Sequence, residues 1–334
     1  MKQLWQKIKH YLRNNPFYIK HFQIPINNGR YFVRDCSYYF KKYTLKKDKS
    51  VQGNTLYFII DPDRSHPGLV DRFKAIVGCY YIAQQSGFDF KLIFDHPFKL
   101  RTYLQPNVCD WYAEPDSLSY SLQNSKILSY NGFEIPKLNK KYRQYHVYNY
   151  IGYDILRSNK LPDFNALWGT LYRELFFPEK RVIQAIESLG IVENSYIAIH
   201  LRFINALGMI EEGHFNLLSS EEDKEALILR CIAGIKKIIA DYPDKKVLIF
   251  SDSSLFLERI KQSKLPVIIL DGEPGHISYV KNNPDDVVMK TFIDFYMMSR
   301  ASKIIAIRAP EMFSSNFSDY AALVGNKFFE VLNI

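Results

Sequence analysis

Apolar positions along the chain fall into short β-forming runs separated by longer stretches with helical periodicity. The first clear run is Thr55 to Ile60, rich in residues that favour strands. It ends in Asp61-Pro62-Asp63-Arg64-Ser65-His66-Pro67-Gly68, a loop by its Pro, Asp and Gly content. From Leu69 to Ser86 the apolar residues follow a helical period, and Gly87 stands where helices commonly end. Phe90 to Phe94 predicts the next strand. Strand, loop, helix and strand in this order begin a parallel α/β domain. Residues 95–165, rich in Tyr, Asn and Ser, carry no clear period. Leu171 to Leu189 predicts a helix with a break at Pro178.

A second series starts at the strand Tyr196 to Ile199. A long helix is predicted over Ser220 to Tyr242, with Ser220 as its cap and Glu221, Glu222 and Asp223 in its first turn. Strands follow at Val247 to Phe250, Val267 to Leu270 and Lys303 to Ile307. Helices alternate with them at Ser254 to Ser263, Asp286 to Arg300 and Phe317 to Val324. Two successive α/β series predict two Rossmann-like domains facing a central cleft. The expected division is a segment 1–50, a domain 51–185 and a domain 186–334.

Charge sets the first segment apart. The 334-residue chain has a formal charge of +9. Residues 1–50 hold 12 of the Lys and Arg but only Asp35 and Asp48 as acids, so this segment carries +10 and the rest is close to neutral. Leu4, Trp5, Ile8, Tyr11 and Leu12 share one helical face, and Pro16 and Pro25 limit any longer helix. A basic and aromatic appendage of this kind suits an anionic surface; the plain alternative is that its aromatics pack onto the adjoining domain and its lysines solvate that surface. No apolar run approaches the roughly 20 residues of a membrane span, and the first 15 residues lack the apolar core of a signal peptide. Cys36, Cys79, Cys109 and Cys231 are too scattered for a zinc site or a disulfide framework. These features together predict a cytoplasmic protein.

Four places could carry chemistry. Gly68 to Arg72 is a glycine turn at a helix start, where backbone N–H groups approach an anion and Arg72 adds a fork of donors. A turn with a surface arginine is the plain alternative. His200-Leu201-Arg202 stands at the C-terminal end of a strand, the edge where open α/β sheets bind ligands. A guanidinium there can stabilise charge that develops on a departing diphosphate. Ser251-Asp252-Ser253-Ser254 also follows a strand. Asp252 there could accept hydrogen bonds from a ribose or a purine, or the segment could cap the next helix. Ser314-Ser315-Asn316-Phe317-Ser318 offers hydroxyls and free N–H groups at a helix start, suited to phosphate, or simply a capped loop. Asp61-Pro62-Asp63 has the D-x-D pattern of metal-dependent transferases, but its place directly upstream of the glycine turn favours a loop or acceptor-side role.

The order of these segments resembles the GDP-fucose transferase superfamily, which includes protein O-fucosyltransferases and the α1,2- and α1,6-fucosyltransferases. The likeness covers roughly residues 55–325 and is strongest from Asp294-Phe295-Tyr296-Met297-Met298-Ser299 through Ser314-Ser315-Asn316-Phe317-Ser318. It implies a GT-B fold, a C-terminal donor domain, and inverting transfer without a metal or other cofactor. It places Arg202 on the donor diphosphate and His200 beside the nucleotide. Asp252 and Asp294 fall on acidic positions that hold the nucleoside or the donor loop. Ser314, Ser315 and Phe317 fall on the turn that contacts phosphates and base, and Gly68, Asp71 and Arg72 on the glycine turn. Two departures stand out. Many relatives have a second arginine after H-x-R, where this chain has Phe203. Asp71 replaces a frequent asparagine, and a carboxylate would repel a diphosphate. Asp71 is therefore the candidate general base toward an acceptor, ahead of His66 and Asp63.

The expected function is transfer of a sugar, fucose by resemblance, from a GDP-sugar co-substrate to a glycan or lipid-linked glycan in cell-surface polysaccharide or glycoconjugate synthesis. Residues 1–50 would hold the enzyme peripherally on the inner face of the cytoplasmic membrane. The alternatives are a GT-B enzyme with another nucleotide-sugar donor and a non-catalytic protein that binds membrane surfaces. Nucleic acid is not expected as a partner, because the cleft segments lack positive charge and no nucleic-acid motif is present.

Overall fold

The computed structural model describes residues 24–46, 48, 51, 53–64, 66–128, 135–150, 156, 161, 163–207, 218, 220–272, 275 and 284–334. In chain order its elements are α1 (Ile24–Lys42), β1 (Thr55–Ile59), α2 (Leu69–Ser86), β2 (Asp89–Ile93), β3 (Leu104–Pro106), β4 (Ser125–Ile127), β5 (Gln144–Val147), α3 (Phe164–Leu175), β6 (Phe176–Pro178) and α4 (Lys180–Ser188). Then come β7 (Tyr196–Leu201), α5 (Glu221–Asp241), β8 (Lys246–Ser251), α6 (Ser254–Gln262), β9 (Val267–Ile269), α7 (Pro284–Ser299), β10 (Lys303–Arg308), α8 (Phe317–Gly325) and β11 (Phe328–Asn333). The described parts of 1–65, 71–94 and 109–164 form one compact unit, and those of 66–70, 95–108 and 165–334 form a second. Helix α3 from Asn165 onward, and the part of α4 before the expected boundary at residue 185, thus belong to the second unit.

The first unit is built on a parallel sheet of order β2-β1-β5-β4. Strand β1 is buried at every position, as its apolar sequence requires of a central strand. The segment that its charge set apart is not an appendage here. Helix α1 admits Pro25 in its first turn, where the missing N–H is harmless. The second half of α1 then packs into the unit. Tyr38 is buried with Tyr57, Ile59, Ile93 and Tyr148, and Tyr39 and Tyr43 close over them. The Tyr38 and Tyr148 rings stack at 4.2 Å. The Tyr43 hydroxyl meets His146 Nδ1 at 2.6 Å, and the Tyr39 hydroxyl accepts the Ile127 amide at 3.1 Å. Beyond the helix, Thr44 exchanges backbone hydrogen bonds with Tyr120 and Leu122 at 2.9 and 3.0 Å. The aromatic residues before position 23, and the helical face from Leu4 to Leu12, lie outside the described residues.

The second unit carries a five-stranded parallel sheet of order β11-β10-β7-β8-β9. Its core joins Ile197, Ile199 and Leu201 of β7 to Leu227, Ile228, Cys231, Ile235 and Ile238 of α5. Ser220 caps α5, accepting the Asp223 amide at 3.0 Å. The helix expected over Leu171 to Leu189 is two helices, α3 and α4, because Phe176–Pro178 pairs antiparallel with β3. Strand β11 was not expected. It is a half-exposed edge strand, so its apolar pattern is weak. All four cysteines are free thiols. Among the described residues no helix is long and apolar enough to cross a membrane.

The core position of α1 has a measurable consequence. Truncating a buried aromatic side chain typically costs about 3–5 kcal/mol, so Tyr38→Ala should lower the urea midpoint of unfolding strongly. A chain beginning at residue 51 should lose cooperative unfolding of the first unit. A truncated chain as stable as the full one would show that α1 contributes nothing to this core.

Candidate functional site

The second unit's sheet turns back between β7 and β10. From β7 the chain moves to β8 and β9 on one side, and from β10 to β11 on the other. Loops leaving such a pair diverge and open a crevice at the strands' C-terminal ends, where α/β sheets bind ligands. Register pairs Ala306 with His200. The two strands therefore deliver His200-Leu201-Arg202 and Ile307-Arg308 to the same edge.

His200 is buried, its Nδ1 is 3.0 Å from the Ser318 hydroxyl, and its ring lies 5.9 Å from that of Phe317. Burial, reinforced by the charges of Arg202 and Arg308, pushes its pKa down to about 3. His200 is therefore a neutral imidazole at physiological pH and serves as a hydrogen-bonding group rather than a cation. Arg202 Nε stands 3.4 Å from Asp252 Oδ2, and the Arg202 carbonyl accepts the Phe313 amide at 3.1 Å.

Asp252 is the pivot of this edge. Its Oδ1 accepts the Phe203 amide and its Oδ2 the Ile204 amide, both at 2.8 Å. Ile204 has φ of +48°, an unfavourable region for a β-branched residue. The carboxylate holds the strained turn directly after Arg202 with two charge-assisted bonds. The helix-capping role open to this segment falls to Ser253, which accepts the Phe256 amide at 3.2 Å.

The turn before α8 closes the site. Arg308 Nη2 donates to the Ser315 carbonyl at 3.2 Å, and the Ser315 hydroxyl accepts the Phe317 amide at 3.1 Å. Asn316 stands at the N-cap without a side-chain hydrogen bond to the helix, and Ser314 is exposed. Phe317 packs between His200 and Phe295, with 5.3 Å between the two phenylalanine rings. Asp294, the neighbour of Phe295 on α7, lies within 2.5 and 2.7 Å of Lys290 Nζ. Burial raises its pKa against the pull of that lysine. Of the residues singled out from the sequence, His200, Arg202, Asp252, Ser315 and Phe317 thus come together. Ser318, the last residue of the serine-rich segment, joins them through His200, and Arg308 joins them without having been foreseen. The place of Arg308 is visible only once β10 lies beside β7.

The glycine turn is divided. Gly68 belongs to the second unit and Asp71 and Arg72 to the first. Arg72 is buried, with its guanidinium 5.3 Å from the Phe94 ring. Burial brings its pKa down to about 10, opposed by Tyr150, so it keeps its charge. It is therefore not the surface arginine that the plain alternative supposed. Asp71 is the counter-ion of Lys74, itself buried, at 3.0 Å. His66 faces His96 at 6.4 Å between rings. In the first unit Asp61, directly after β1, accepts the Tyr38 hydroxyl and the Asp63 amide, the latter at 3.2 Å, with Lys42 at 3.8 Å. Burial opposes ionisation of Asp61, but these donors hold its pKa below the usual value. Among the described residues no group of three or more His, Cys, Asp or Glu side chains could hold a metal ion.

No protein-family model matches the chain, and no curated protein sequence matches it. Solved structures do. The chain is similar to NodZ α-1,6-fucosyltransferase soaked with GDP-fucose, at 13% identity over 82% of this chain and 93% of that one, with a TM-score of 0.54. Fucosyltransferase NodZ from Bradyrhizobium gives 12% identity, the same coverage and a TM-score of 0.55. An arginine-to-lysine mutant of Arabidopsis thaliana FUT1 in complex with GDP gives 13% identity over 90% of this chain and 74% of that one, with a TM-score of 0.52. The chain therefore has the α/β fold of these fucosyltransferase structures.

Proposed function

We propose that the chain is a glycosyltransferase that moves fucose from GDP-fucose to a hydroxyl of a glycan, with inversion and without a metal. The observation that carries this reading is Arg202, held by Asp252 at the turning point of the second sheet, in a fold shared with structures that contain GDP-fucose or GDP. In the reaction the anomeric carbon–oxygen bond breaks and GDP leaves with the electron pair. Negative charge grows on the leaving phosphate, and a fixed guanidinium stabilises it at no cost in reorganisation. Neutral His200 and the Ser315 turn bound the nucleotide. The acceptor oxygen attacks the opposite face of the anomeric carbon and gives its proton to a base, for which Asp71 is the candidate.

Helix α1 supports a finer reading, a peripheral place on an anionic membrane with a lipid-linked acceptor. Ile26, Val33 and Phe40 are exposed at heptad spacing, with Phe32 beside them, opposite the face that carries Tyr38. Lys41 and Lys46 are exposed nearby, within the strongly basic first 50 residues. An apolar stripe with flanking lysines suits an anionic headgroup layer.

Three outcomes follow. Arg202→Ala should lower kcat by ~10²–10³, with thermal melting checking that the fold persists; activity within a few-fold of the parent would remove Arg202 from the chemistry. Calorimetry should show GDP binding tighter than UDP, and activity should survive EDTA; tighter UDP binding would point to another donor. Full-length protein should sediment with anionic vesicles at low salt and lose this on combined Val33→Ser and Phe40→Ser substitution. Those exposed positions leave the core intact, and equal sedimentation of both proteins would exclude the stripe as a membrane contact.

A further inference from the structure

We propose that Arg308 is the second cation of the diphosphate site, taking the place of the arginine that Phe203 replaces. The inference rests on the donor reading given above and names a residue that reading does not require. Phe203 cannot serve the phosphate itself, since it is buried against Phe256 with ring centroids 4.8 Å apart. A second positive charge stands at the same edge on another strand. Arg308 ends β10, and carrying the Ala306–His200 register two residues further sets it beside Arg202 at the turning point of the sheet.

Its pairing sets it apart from the ion-paired arginines of the second unit; Arg173, on α3, likewise bonds backbone carbonyls but lies away from this edge. Arg181, Arg230, Arg259 and Arg300 each face a carboxylate, and Arg202 faces Asp252. Arg308 is half-buried and, among the described residues, makes no ion pair; its hydrogen bond goes to the Ser315 carbonyl. That bond engages one of five guanidinium N–H groups. The same side chain thus holds the turn before α8 and keeps a donor edge for an anion. Since Asp252 offsets much of the Arg202 charge, a diphosphate with two or more negative charges needs the uncompensated cation. The charges of Arg202 and Arg308 both act on His200.

The test is calorimetry with GDP, guanosine and inorganic pyrophosphate on the parent, Arg308→Gln and Arg308→Lys, with melting curves for each. Arg308→Gln should weaken GDP by about 10- to 100-fold and leave guanosine unchanged. Arg308→Lys, which keeps charge and a donor for Ser315, should lose less. The salt dependence of GDP binding should flatten in Arg308→Gln. Equal weakening of GDP and guanosine, or unchanged GDP binding, would overturn the proposal and leave Arg308 as a brace for the turn. If Arg308→Gln does not fold, Arg308→Met is measured in its place, and unchanged GDP binding or equal weakening of GDP and guanosine there overturns the proposal. If the parent binds pyrophosphate through Arg308 but not GDP, the donor reading fails and this inference stands. If it binds neither, both fail.

Discussion

The carboxylate of Asp252 is the constraint on which the donor edge depends. A β-branched residue at positive φ costs on the order of 1–3 kcal/mol, and Ile204 adopts that conformation directly after Arg202 and Phe203. Two amide bonds at 2.8 Å to a buried carboxylate offset the strain and set the direction in which the chain leaves β7. The same carboxylate faces Arg202 Nε, so one side chain fixes both the backbone and the guanidinium. Because Asp252 comes from β8, the neighbouring strand, the position of Arg202 is tied to sheet pairing and not to a loose loop.

The other wall is fixed by close helix packing. A Cβ at Gly169 on α3 would collide with the backbone of Leu323 on α8, and one at Gly325 with the backbone of Ser299 at the end of α7. Arg173 of α3 donates to the Val324 carbonyl at 2.7 Å, satisfying the C-terminal end of α8. Trp168 and Tyr320 meet edge to face at 4.6 Å. The start of α8, which carries Phe317 and Ser318, is therefore held from its far end by packing that tolerates no side chain at two positions. Rigid support of this kind lets binding groups keep their geometry without a ligand to organise them.

The sequence disclosed the parts of the fold whose pattern is local. Buried parallel strands read as apolar runs, so β1, β7, β8 and β10 were found within a residue or two, and α2 was found with its bounds. His200 and Arg202 were legible because they end such a run. Arg308 ends another, but its meaning depends on which strand lies beside it, and pairing between residues a hundred apart leaves no local trace. The role of Asp252 was hidden for the same reason, since its partners Phe203 and Ile204 lie on another strand's exit. For helix α1 the sequence left two readings open, because its lysines dominate the composition while its aromatics can build core; Tyr38, Tyr39 and Tyr43 take the second course.

The turning points of the two sheets differ in chemistry in a way that suits two classes of ligand. In the second unit the strand ends carry Arg202 and Arg308, whose charges act on a neutral His200, the groups of the proposed diphosphate site. In the first unit the end of β1 carries Asp61, which takes the hydroxyl of Tyr38, while Arg64 Nε donates to that same hydroxyl at 3.3 Å. Burial, and then Asp61, raise the Tyr38 pKa to about 12, so the phenol stays protonated. Around Asp61 a carboxylate, a phenol hydroxyl and an amide stand with the cations Lys42 and Arg64, a mixed set of donors and acceptors of the kind that can exchange hydrogen bonds with hydroxyl groups. Phosphate affinity comes from charge and weakens with salt, whereas hydroxyl recognition depends on geometry and a satisfied network. Under the proposed transfer, a change around Asp61 on one sheet would leave the Arg202–Asp252 pair on the other undisturbed.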